Sequence, residues 1–516
     1  MKYYEDPILG KGRAADVTGG TGGGGGTEYI GGFAIGISGD TISRLRYMSI
    51  ESVTGNSVTL QAGHAYKAYA TSTAITLNTE TVPEGQFGME GHIEIYVAGA
   101  GYVVTGTNVV LANALEPDSV NNCTLRFHDG VCIISVEDHV AGYIVVNGAT
   151  SGEGSLAYGI STSTNDYVAF DASLNGQVIP LAGAVAEGEK HLVGNGYTST
   201  TLTGNINCGT SKFTVANLAL SNVQVTGGTM TLGDAFIPSG STVAVSGGGV
   251  AVERVSGNGG VIDLEQKTVY VFDSVANIMG CEIRNGAGTS GGALRVQNSS
   301  VYGKPTDATI SSATITGCSA SYAGGALFVY GGTATATLNS CTISGCSAQF
   351  GGGIFENSGA KTTLNSCVIS GCSAGEGGGV CLYNVGTSAT LNSCTISGCS
   401  ANGGAALKAA TNAKIELVDC TISGNIPTSR GVNLTSSTLS FAGSNVLTDA
   451  VYGSSGSVTI SSGAILDLTG NTNATPVAPG GGVIVDDGCQ VITSAGSTVS
   501  IAGGTYTKIN NDGTTE

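Results

Sequence analysis

Leu338-Asn-Ser-Cys-Thr-Ile-Ser-Gly-Cys-Ser-Ala348 decides how this chain is read, because the phrase returns as Leu364-Asn-Ser-Cys-Val-Ile-Ser-Gly-Cys-Ser-Ala374 and Leu391-Asn-Ser-Cys-Thr-Ile-Ser-Gly-Cys-Ser-Ala401. Measured on the central isoleucine, copies fall at Ile315, Ile343, Ile369, Ile396 and Ile422, in steps of 28, 26, 27 and 26 residues, with a degenerate copy at Ile283. A fixed period of this length describes stacked units, none of which can bury its own apolar face alone. Within a unit, Leu338, Cys341 and Ile343 flank a short Asn-Ser bend, and Gly351-Gly-Gly-Ile354 opens a further strand. Three short strands per unit of ~26 residues, with small and β-branched side chains inward, predict one coil of a parallel β-helix, each coil ~4.8 Å from the next.

The ruler exposes two ladders. Two residues before each isoleucine stand Cys281, Ala313, Cys341, Cys367, Cys394 and Cys420; three residues after stand Gly286, Cys318, Cys346, Cys372, Cys399 and Asn425. The first ladder shares the inward face of the isoleucines, and the second sits at a bend. Three readings stay open: a reduced stack of small polarizable core residues, the preferred one; metal binding, which the Cys-x4-Cys spacing allows only loosely and no histidine cluster accompanies; and disulfides between rungs, whose spacing lies within bridging range.

Composition narrows the function classes. Of 516 residues 84 are Gly, only 11% are charged and none is Trp, while 41% are hydrophobic and the mean hydropathy is +0.21, too apolar for a disordered chain. The formal net charge of −18, with no Lys/Arg run, argues against nucleic acid as a partner. No window reaches the ~18 consecutive apolar residues of a membrane span, so membrane insertion is not expected. The start, Met1 to Gly12, lacks the apolar core of a secretory signal.

Along the chain, residues 1–26 read as a short head and a Gly-rich linker, in which Tyr3, Tyr4, Pro7, Ile8 and Leu9 are candidate anchor residues. Residues 27–146 carry short alternating strands, such as 92–97, 124–127 and 132–136, and predict an all-β, sandwich-like domain. Residues 147–196 are expected to connect this domain to a parallel β-helix over 197–509, with its regular repeats at 281–425 and a polar tail at 510–516. The whole is therefore expected to be all-β.

The phrase Cys-Thr-Ile-Ser-Gly-Cys-Ser-Ala followed by Gly-Gly-Gly-Ile resembles the repeats of right-handed parallel β-helix proteins, including polymorphic-membrane-protein-type adhesins, whose coils carry Asn where Cys346, Cys372 and Cys399 stand. The resemblance covers about 145 residues and speaks to fold rather than function. Head, glycine linker, β domain and β-helix, in that order, are similar to a phage tail spike or receptor-binding fibre. That resemblance implies a virion protein assembled in the host cytoplasm, a homotrimer joined to other virion proteins through its N-terminal segment, and a host surface glycan or protein as its target.

β-Helix enzymes use clustered carboxylates for acid/base work. Here the repeat zone offers Glu282, Asp307, Glu356, Glu376, Glu416 and Asp419, with Arg295, Lys361 and Lys408, and no two carboxylates share adjacent rungs of one column. The ruler puts Glu356 in an inward column with Phe328 and Leu382, which is either a local register shift, the preferred reading, or a buried acid, and Glu376 on a turn is read as a solvated charge. His64, His92, His128, His139 and His191 have no metal spacing. No catalytic residue, metal or cofactor is therefore expected. The lead reading is a non-enzymatic virion fibre in which Tyr322, Tyr330, Phe350 and Tyr383 suit carbohydrate or cell-surface contact. A bacterial surface adhesin and a glycan-degrading tail spike are the alternatives.

Overall fold

The structure, a computed structural model, describes residues 103–493 apart from short gaps, together with the strands between residues 27 and 97 and the strand Thr507–Asn510. The candidate anchor Tyr3, Tyr4, Pro7, Ile8 and Leu9, the glycine linker and residues 511–516 lie outside the described residues. The chain divides into two compact units, residues 1–202 with 214–219, and residues 203–213 with 220–516.

Among the described residues the first unit is all-β apart from one short helix and the 3-10 turn Ala172–Leu174. Thr27–Ile30, Phe33–Ser38 and Thr41–Tyr47 form a three-stranded antiparallel meander. Met89–Val97, Ser119–His128 and Val131–Val145 pair antiparallel over a core that includes Ile93, Ile95, Leu125 and Ile134. Parallel ladders also occur here: Ser57–Leu60, Ala74–Thr79 and Val103–Thr105 form one, and Val131–Val145, Tyr167–Phe170 and Lys190–Val193 another. Period-two alternation sets which face of a strand is buried but not the direction of its neighbour, so the mixture was not legible in the pattern. Residues 147–196, expected as a connector, hold ordered strands and the helix Leu156–Ser161, capped by the Ser155 hydroxyl accepting from the Tyr158 amide at 3.2 Å.

The second unit is a stack of parallel coils, a parallel β-helix. A regular coil contains Lys361–Asn365, Val368–Ser370, Ser373–Glu376 and Val380–Tyr383. Each pairs in parallel register with the equivalent segment of the coils on either side. The coil has four segments because Ser366, with φ 53°, turns the chain between the first two, and Gly371, with φ 60°, turns it again before the third. The Asn-Ser and Ser-Gly pairs of the repeated phrase thus encode two left-handed corners, conformations that a β-branched residue resists.

The isoleucine ruler is a physical column. Ile283, Ile315, Ile343, Ile369, Ile396 and Ile422 are successive partners in parallel register, all buried. One expectation is corrected: Glu356 is a buried acid, and the one-residue slip against the isoleucine ruler falls at Phe328, which pairs with Phe355 rather than with Glu356. Phe328, Phe355 and Cys381 stack in one column and Val329, Glu356 and Leu382 in the next, so Glu356 points into the coil with 0% exposure. The backbone ladder on both sides outweighs one unfavourable side chain, because a one-residue slip would turn every other inward residue of the strand outward.

The corner segments form their own five-stranded parallel sheet, which ends at Ser400–Gly403. In the next coil the equivalent stretch is the 3-10 turn Thr428–Arg430. With that segment gone the coil shortens, and Asn433 meets Tyr452 only 19 residues on.

Candidate functional site

The two cysteine ladders are the most regular polar feature of the interior. In the first, the Cys341 amide donates to Cys367 Sγ, the Cys367 amide to Cys394 Sγ and the Cys394 amide to Cys420 Sγ, each at 3.4 Å. Each thiol in turn donates to carbonyls, as Cys341 does to Ile310 at 3.2 Å and Asn339 at 3.3 Å. The ladder then changes chemistry without changing pattern, since the Cys420 amide donates to Asn445 Oδ1 at 2.9 Å.

The second ladder, Cys318, Cys346, Cys372 and Cys399, ends the same way. The Cys399 amide donates to Asn425 Oδ1 at 2.9 Å while Asn425 Nδ2 donates to the Ile396 carbonyl at 3.1 Å. A thiol and a carboxamide each offer one acceptor and one donor direction here, so Cys fills the position as a compact, neutral stand-in for Asn. Burial pushes the Cys281 thiol up to about 12, and the described cysteines are buried and joined by no disulfide. Cys372→Asn should therefore keep the stability within about 1 kcal/mol of wild type, whereas Cys372→Leu should cost about 2 kcal/mol by overpacking. Equal losses for both in thermal melts would show that the hydrogen-bond pattern is irrelevant.

The outward corner is different. Phe350, Glu376 and Gly403 form a column on the corner sheet, facing the column Phe328, Phe355, Cys381, Lys408, Asn433 and Tyr452 on the adjacent strands. Toward one end aromatic rings fill the angle: Tyr322 meets Phe350 edge-on at 5.5 Å, Phe350 meets Tyr383 at 5.9 Å, and Phe328 stacks between Tyr330 at 5.9 Å and Phe355 at 5.7 Å. All four aromatics singled out in the sequence are thus brought to one corner, where Tyr322 and Tyr330 stay 47% and 37% exposed.

Toward the other end the rings stop and a groove of about 710 Å³ opens, lined by Phe350, Glu376, Asn402, Arg430, Asn433 and Tyr452 among others. It exists because the corner sheet ends at Gly403, where a Cβ would meet nothing closer than Asn433 Nδ2 at 3.4 Å. Glu376 is not the free solvated charge expected of a turn. It closes the strand Ser373–Glu376 and accepts a 2.5 Å hydrogen bond from the Tyr383 hydroxyl, whose proton is held more tightly by burial and by this carboxylate.

Glu376 is the carboxylate among the lining residues, and acid/base cleavage of a glycosidic bond by paired carboxyls needs two within ~5–9.5 Å. What the groove offers is an aromatic edge, amides, a hydroxyl and a guanidinium, a set suited to holding a polar ligand. Among the described residues no cluster of three or more His, Cys, Asp or Glu side chains is placed to hold a metal.

The family model described as "Right handed beta helix region" matches residues 205–472, just over half of the chain. The chain belongs to the right-handed β-helix family. No curated protein and no solved structure matches it. Within this β-helix the ruler already aligned part of the groove, since Phe350, Glu376 and Gly403 each stand four residues after a ladder cysteine. Arg430, Asn433 and Tyr452 escaped because the period changes after Asn425.

Proposed function

We propose that this β-helix is a non-enzymatic attachment protein, carried on a virion as a trimeric fibre or spike, that holds a surface glycan along its aromatic corner. The observation that carries the reading is the groove beside Phe350, where a sugar face can lie on the ring while its hydroxyls meet Glu376, Asn402 and Asn433. The coil step of ~4.8 Å is close to the length of one sugar ring in a chain, so successive coils can each meet one sugar. The order of head, glycine linker, β domain and β-helix supports the virion setting, in which the anchor would join other virion proteins.

The test is retention on immobilised polysaccharides, with Gly403→Val as the blocking variant. Gly403 is not in the left-handed region and its added Cβ has room, so the variant should fold as wild type yet bind about tenfold more weakly, with no oligosaccharide released by either protein. Unchanged binding would place the contact elsewhere, and oligosaccharide release would favour the glycan-degrading alternative. Electron micrographs of labelled particles, set against labelled bacterial surfaces, decide between the virion and adhesin settings.

A further inference from the structure

The polar end of the groove has a fixed hydrogen-bond direction that begins at a buried lysine. Lys408 is 7% exposed and its ammonium donates to Thr435 Oγ1 at 3.1 Å. An ammonium can only donate, so the threonine hydroxyl must pass its own proton on, and it does so to Asn433 Oδ1 at 3.4 Å. With its oxygen occupied, Asn433 presents its amide hydrogens, and Nδ2 donates to the Tyr452 hydroxyl oxygen at 2.7 Å. The Tyr452 proton is then left to point outward. The space it faces is the one beside Gly403, whose added Cβ would lie 3.8 Å from that hydroxyl.

Arg430 stands at the same end of the groove. One of its nitrogens, Nη1, donates to the Asn402 carbonyl at 3.1 Å, and neither Arg430 nor Lys408 forms an ion pair among the described residues. The groove's carboxylate, Glu376, is already engaged by Tyr383. The end therefore combines two cations without carboxylate partners and a run of outward donors. A charged donor set of this kind is worth most against an ionised acceptor.

We propose that this end of the groove selects an anionic sugar, whose carboxylate or sulfate oxygens are taken by the Arg430 guanidinium and the Tyr452 hydroxyl, with Lys408 as the positioning residue that makes Tyr452 a donor. The inference rests on the attachment reading and adds the chemical class of the glycan. The formal charge of −18 does not oppose it, because at physiological salt charges beyond ~8 Å are largely screened, and among the groove's lining residues Glu376 is the one carboxylate, set against Arg430 with Lys408 behind it.

The test compares retention on hyaluronan, polygalacturonate, dextran sulfate, dextran and mannan. Wild type should retain at least one carboxylated or sulfated polymer and release it as salt is raised, with dextran and mannan retained at least about tenfold less. Arg430→Gln and Tyr452→Phe should each lower the anionic-to-neutral ratio about tenfold at unchanged melting temperature. Lys408→Met should lower the same ratio, and if it fails to fold the other two variants carry the test. Equal retention of neutral polymers, or a ratio unmoved by Arg430→Gln and Tyr452→Phe, overturns the inference. If neutral polymers alone are retained and Gly403→Val blocks them, the attachment reading stands and this one falls. Retention of none removes both.

Discussion

Glu356→Leu should make the β-helix more stable at neutral pH by about 2 to 3 kcal/mol, an unusual result for a substitution at a fully buried site. Glu356 is 0% exposed between Val329 and Leu382, and neither carboxyl oxygen has a hydrogen-bond partner. Burial pushes the carboxyl well above its ordinary range, and the Thr362 hydroxyl pulls the other way without closing a hydrogen bond. The folded state therefore prefers the protonated acid. Its contribution is fully present below the unfolded value of 4.5 and is lost as pH rises from there through the folded value, at about 1.4 kcal/mol per pH unit for one proton. Thermal melts of wild type should fall over that window more steeply than those of Glu356→Leu, which keeps the raised carboxyl of Asp449, and the gap between them should widen with pH. Glu356→Gln should remove the share of the pH dependence that Glu356 carries but keep an unpaired amide, and so gain less. A gap that is constant with pH would mean that the carboxyl finds a partner in solution.

The same residue marks the limit of reading the chain as a string. The repeated phrase made the coil legible: its Ile column, its Ser and Gly corners and both cysteine ladders follow from spacing alone, because in a parallel stack a sequence period is a spatial register. A single acid at an inward position looked like a register fault, since the alternation rule weighs one side chain against the core and cannot weigh the whole ladder that holds it. The groove was half legible for a related reason. Phe350 and Tyr383 could be picked out as aromatics of the regular coils, and the same ruler places Glu376 and Gly403 beside them. Arg430, Asn433 and Tyr452 enter only where the corner sheet ends and the coil shortens, and there the period no longer reports on neighbours.

Gly352→Ala should cost about 3 kcal/mol or more, although it adds a single methyl group. Gly352 lies outside the left-handed region, so conformational preference is not the reason. A Cβ there would sit 2.5 Å from the carbonyl oxygens of Gly378 and Ser373 and 2.7 Å from the Ser373 nitrogen, all of them backbone atoms of the next coil. A flexible side chain could move aside, whereas these atoms are fixed by the parallel ladder that carries Ser347–Phe350 against Ser373–Glu376. Gly292, Gly325 and Gly378 are under the same constraint, each facing the backbone of the following coil. The column then admits Ala405, which is buried and hydrogen-bonded through its amide to Arg430. The exception fits the cause, because beyond Ala405 the corner sheet has ended and the 3-10 turn Thr428–Arg430 replaces its strand. Hydrogen exchange in Gly352→Ala should accelerate in the corner strands around residues 347–376 before the rest of the coil stack opens. Because that corner aligns Phe350 with Glu376, the variant should also lose polysaccharide retention, whereas Gly403→Val should lose retention alone. If Gly352→Ala melts with wild type, coil separation at the corner is adjustable and the glycine column reflects something other than backbone contact.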